Sequence, residues 1–107
     1  MADEKEKITF SRDGEEITIL LPEVLDYDNV DGVRHECEQA LGEMIKRTVV
    51  DCSNVKCMDS TGLGLLINLH KLVAASGGKM TCVHIPVEIR QTLANTHLDA
   101  ILNLEDD

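Results

Sequence analysis

The chain has 107 residues, room for one domain and one hydrophobic core, and its apolar share of 43% is enough to fold without disulfide or metal staples. Twenty acidic against ten basic side chains leave a net charge of −10, and Phe10 and Tyr27 are the only aromatics. That balance offers neither cations for a phosphate backbone nor platforms for base stacking, and it repels anionic lipid, which excludes nucleic acid and membrane surfaces as partners.

No apolar run is long enough to span a bilayer, and the charged residues 1–7 lack the apolar block of a secretory signal. The expectation is a cytoplasmic protein with a single domain over residues 1–107 and an ordered core over about 7–104. Ile8 and Phe10 alternate with polar neighbours, Asp13-Gly14 follows, and Ile17, Ile19 and Leu21 alternate again, which predicts a hairpin that Pro22 ends. Val30, Val33, Cys37, Leu41 and Met44 recur at steps of three and four, the stripe of a helix. Asp28, Asn29 and Asp31 stand where they can cap it, and Lys46 and Arg47 lie beyond its negative end.

Residues 48–52 predict a strand, β-branched and apolar enough for burial on both faces. A second helix runs over Asp59 to Ala75, with a hydroxyl cap at its start and Gly77-Gly78 at its end. Residues 80–84 form another strand. Pro86 suits the first position of a third helix carrying Ile89 and Leu93 one turn apart, and residues 101–104 add a last short strand. The order β-β-α-β-α-β-α-β predicts an α/β fold: a mixed sheet, an antiparallel N-terminal hairpin followed by alternating strands and helices, with helices packed on it.

Cys37, Cys52, Cys57 and Cys82 show no zinc-knuckle or dithiol spacing, and three of them sit in apolar patterns as small buried hydrophobes. His35, His70, His84 and His97 are scattered singly, not clustered as metal ligands are. No cofactor is implied.

The informative segment is Asp59-Ser60-Thr61-Gly62-Leu63-Gly64. A strand ends shortly before it, and Ser60 or Thr61 would place a hydroxyl at the N-terminus of a helix, where free amides and the macrodipole favour a phosphate. Gly62 and Gly64 strip side chains from the first turns, which is costly in a helix and fits a close approach by a neighbouring strand or a partner.

The run V-V-D-C-S-N-V-K-C-M-D-S-T-G-L-G-L-L resembles the signature of the STAS domain, and within it the bacterial anti-sigma factor antagonists, whose core is D-S-[ST]-G-L-G. Gly77-Gly78-Lys79 and the turn from Asn95 to Asp99 also match, so the resemblance covers nearly the whole chain. It implies a partner-switching regulator, not an enzyme. The unphosphorylated domain would bind an anti-sigma factor that is also a serine kinase of the histidine-kinase-like ATPase fold. That kinase would phosphorylate Ser60 and release the domain, and a PP2C-type phosphatase would reset it. By the same resemblance Asp59 flanks the acceptor, Thr61, Gly62, Leu63 and Gly64 form the docking turn, and Asp26 matches an aspartate near the contact surface. Two departures stand out. Leu21-Pro22-Glu23-Val24-Leu25 precedes Asp26 where the family usually has a glycine, and the chain ends at Asp107 where many relatives add a helix, whose contacts a partner or a second copy in a homodimer would replace.

Rival readings are weaker. A hydrolase elbow needs glycine two residues before the serine, where Met58 stands. A receiver-like site at Asp51 lacks the paired acids that hold Mg²⁺. A STAS scaffold subunit of a transporter or sensory complex keeps the fold without phosphorylation.

Overall fold

The computed structural model describes residues 7–41 and 45–105. Strand β1 (Thr9–Asp13) turns at Gly14, whose φ of +62° only glycine adopts without strain, into β2 (Glu16–Leu20), and the two pair antiparallel with Phe10 opposite Ile19. After Pro22 comes a two-residue strand, β3 (Val24–Leu25), then α1 (Val30–Ala40), β4 (Arg47–Asp51), another two-residue strand, β5 (Cys57–Met58), and α2 (Ser60–Ala75). Strand β6 (Lys79–Val83), α3 (Val87–Asn95) and a 3-10 turn (Leu98–Ala100) complete the described chain.

The main sheet has the order β1-β2-β4-β6, with β2, β4 and β6 mutually parallel. Ile19, Val50 and Cys82 stand in register across it and are fully buried. They join one cluster with Val33 and Cys37 of α1, Leu65, Leu66 and Leu69 of α2, and Ile89 and Leu93 of α3. The row one position along, Thr18, Val49 and Thr81, is only half-buried. Strand β4 is therefore covered on one face, not on both as its composition suggested: with all three helices drawn to one side, the other keeps a hydroxyl-rich surface.

Helix α1 follows the expected stripe through Val30, Val33, Cys37 and Leu41, while Met44 lies outside the described residues. Its ends differ from expectation. Asn29 is the cap residue but makes no side-chain bond to the helix, and Lys46 and Arg47 pair with Glu15 and Glu16 instead of the helix terminus. The end of α2 is as predicted, with Gly77 at φ +84° and the amides of Gly77 and Gly78 reaching back to Ala74 and Val73 at 3.0 Å. Pro86 precedes the first helical residue of α3 by one, and its carbonyl accepts the Arg90 amide at 2.9 Å. The strand expected at residues 101–104 is a single parallel bridge between Leu104 and Cys82.

Candidate functional site

Strands β3 and β5 form a separate two-stranded parallel sheet, Val24 opposite Cys57 and Leu25 opposite Met58. The Glu23 carbonyl accepts the amides of Lys56 and Cys57 at 2.7 and 3.2 Å, and the Leu25 carbonyl accepts that of Asp59 at 3.3 Å. An ion pair between Lys56 and Glu23 at 2.7 Å lies beside this ladder. The small sheet brings the turn before α1, with Asp26 and Tyr27, against the start of α2.

There the cap is Asp59, not Ser60 or Thr61. One carboxylate oxygen accepts the amides of Thr61 and Gly62 at 2.9 and 3.2 Å and the Thr61 hydroxyl, and the other accepts the Tyr27 amide at 3.1 Å. The Thr61 hydroxyl is the largest influence holding the carboxyl below its ordinary pKa; burial opposes it, and the amides of Gly62, Tyr27 and Thr61 add to the lowering. Asp26 has a local role too. Its carboxylate accepts the Asp28 amide at 3.0 Å, its own amide donates to the Asn29 side chain at 2.9 Å, and its carbonyl accepts the Val30 amide at 2.9 Å. Asn29 thus fixes the turn, which explains why it does not cap α1.

Ser60 is the first residue of α2 and is exposed, with no hydrogen bond from its hydroxyl among the described residues. Thr61 and Gly64 are half-buried, whereas Gly62 and Leu63 are buried. The two glycines differ in physical role. A Cβ on Gly62 would stand 2.7 Å from both the Leu25 carbonyl oxygen and Met58 Cγ, so this glycine is what lets β3 and β5 close onto α2. A Cβ on Gly64 would meet nothing within 4 Å, so the expected close approach by the fold itself does not occur there.

Between α1 and α2, starting at this turn, runs a groove of about 240 Å³. Val30, Thr61, Gly64 and Leu65 are its more buried lining, and Tyr27, Asp31, Arg34 and Asn68 its exposed lining. Tyr27, 78% exposed, has no patterned signal in the sequence beyond being one of two aromatics. Asp51 accepts the Ser53 amide at 2.9 Å, a turn-forming role. Cys37, Cys52 and Cys82 are buried and Cys57 is exposed. No helix among the described residues is long and apolar enough to cross a membrane.

The description of the STAS domain matches residues 8–107. An anti-sigma F factor antagonist of Paenibacillus polymyxa is 26% identical over 92 residues, which are 85% of this chain and 79% of that protein. Among solved structures, an anti-sigma factor antagonist from Mycobacterium paratuberculosis is similar with a TM-score of 0.84 at 15% identity, over 100% of this chain and 92% of its own. The anti-sigma factor antagonist SpoIIAA in its unphosphorylated form gives 0.78 at 17% identity, over 94% of this chain and 90% of its own. The phosphorylated form of SpoIIAA from Bacillus gives 0.72 over 94% and 93%. The fold also occurs inside a larger chain, the murine anion transporter Slc26a9, with a TM-score of 0.70 at 15% identity over 84% of this chain and 15% of that one. With the family match running from before β1 through the bridge at Leu104, this chain belongs to the STAS domain family.

Proposed function

We propose that this domain is an anti-sigma factor antagonist working as a phosphorylation switch, with Ser60 as the acceptor. The unphosphorylated form binds a serine kinase of the histidine-kinase-like ATPase fold that doubles as the anti-sigma factor, and a PP2C-type phosphatase regenerates it. The carrying observation is that Ser60 is exposed and uncommitted while its neighbour Asp59 holds the helix end. A capping hydroxyl could not be modified without losing the cap; one beside the cap can be.

The Asp59 cap alters the electrostatics expected from sequence. The amides of Thr61 and Gly62 are taken, so a phosphate on Ser60 adds about −1.5 to −2 charge beside an ionised carboxylate rather than settling onto free donors. A kinase that has just transferred its phosphoryl group still holds a nucleoside diphosphate opposite the product, and repulsion between these anions favours separation. Asp26, Asp59, Thr61 and Gly64 supply the contact surface around the acceptor, and the buried Gly62 and Leu63 shape it from beneath. The domain performs no catalysis in this scheme.

The test uses the purified kinase from the same host with ATP. Intact mass should show one added phosphate on the natural protein and none on Ser60→Ala. Ser60→Ala should bind the kinase constitutively and Ser60→Asp poorly. Equal binding by the two variants would favour the scaffold role that the transporter likeness suggests.

A further inference from the structure

Ser60 and Gly64 are four residues apart on α2, so they share one face of the helix, one turn apart. A protein whose active site reaches the Ser60 hydroxyl along this face covers Gly64 as well. Glycine in a helix interior is unfavourable, and here no packing requires it, since the space where its Cβ would stand is open. Gly64 also lines the groove between α1 and α2. A side chain at this position would occupy that groove.

The groove's size and lining limit what fits. Its volume of about 240 Å³ is below the usual range of small-molecule pockets, about 300–1,000 Å³, and suits one side chain better than a free ligand. Its more buried lining is Val30, Thr61, Gly64 and Leu65; Val30 and Leu65 supply an apolar surface, and the Thr61 hydroxyl is engaged by Asp59. Its surroundings are acidic: Asp31 lines it, and Asp26, Asp28 and Asp59 are gathered around Tyr27 by the turn and the cap described above. Arg34 is the cation in its lining, and it is paired with Asp31 at 2.8 Å.

We propose that Gly64 keeps this groove open to receive an aliphatic side chain of the kinase that acts on Ser60, from a segment whose flanking residues are basic. The inference rests on the Ser60 reading and adds to it the anchor that registers the acceptor against the active site. An apolar anchor in a pocket with a charged surround is the usual division between affinity and orientation at a protein interface.

The experiment fills the groove from inside the helix. Gly64→Leu and, independently, Asn68→Trp at the exposed lining are titrated against the purified host kinase loaded with ADP, by calorimetry, alongside the natural protein. Each variant is expected to keep its circular dichroism, with Gly64→Leu melting no lower than the natural protein, and to bind at least tenfold more weakly. Raising the salt concentration should weaken binding of the natural protein, through the acidic surround. Binding of both folded variants within twofold of the natural protein would overturn the groove as the anchor while leaving the Ser60 switch intact. Should Gly64→Leu fail to fold, the idle-glycine argument falls and Asn68→Trp alone decides the groove. Failure of the natural protein to bind the kinase at all would overturn the switch, and the anchor with it.

Discussion

The Asp59 carboxylate accepts the amide of Tyr27, thirty-two residues earlier in the chain, at 3.1 Å while its other oxygen caps α2. One side chain thus closes a helix and ties the turn before α1 to the turn before α2. Its pKa is held down by the Thr61 hydroxyl and then by backbone amides. A carboxyl whose folded pKa is depressed contributes stability that is complete above its unfolded pKa and is lost as the pH falls through the folded one. The difference in urea midpoint between the natural protein and Asp59→Asn should therefore be largest near neutral pH and shrink once the pH drops below about 4. A difference that stays constant down to pH 2 would show that the charge is not what matters.

Gly62 and Gly64 should respond to the same substitution with opposite signs. Gly62→Ala drives a methyl group to 2.7 Å from a backbone oxygen, and overpacking of that kind costs about 1–3 kcal/mol. Gly64→Ala meets nothing and removes a helix-interior glycine, a gain approaching ~1 kcal/mol. Chemical denaturation of the two variants checks both, and a shared sign would refute the geometry at one of them.

The Thr48 hydroxyl is buried without a hydrogen-bond partner among the described residues. Thr48→Val keeps the shape and removes the stranded group, so it should raise stability by about 1 kcal/mol, seen as a higher urea midpoint with an unchanged slope. A lower midpoint would mean that the hydroxyl is satisfied in solution.

Cysteine reactivity should follow burial. Burial, and then the charges of Glu36 and Glu38, push the Cys37 thiol up to about 12, and Cys52 and Cys82 are packed in the core. Under native conditions at pH 8, iodoacetamide should modify Cys57 promptly and the other three only as the protein unfolds, as intact mass would show. Rapid modification at two sites in the folded protein would place a second thiol at the surface.

Much of the fold was legible because its signals are periodic. Alternation through Phe10, Ile17 and Ile19 around Asp13-Gly14 gave the hairpin, and the three-and-four spacing of Val30, Val33 and Cys37 gave α1. Strands β3 and β5 were not legible, since two residues carry no period and their pairing is set by carbonyls at Glu23 and Leu25. The cap was only half legible. Asp59, Ser60 and Thr61 are all competent capping residues, and what selects Asp59 is the amide of Tyr27, a partner far off in sequence. The apparent two-faced burial of β4 failed because composition cannot tell on which side the crossover helices settle.

The two-rung ladder of β3 and β5 has a consequence for motion. It is a clasp with far fewer rungs than the main sheet, yet together with the Asp59 carboxylate it holds Tyr27 against the start of α2. Such a clasp can spring open while the large sheet stays shut, a sub-global event with its own free energy. A protein gripping both of its jaws would then slow deuterium uptake at Tyr27 and Asp59 well before it altered the melting of the whole molecule.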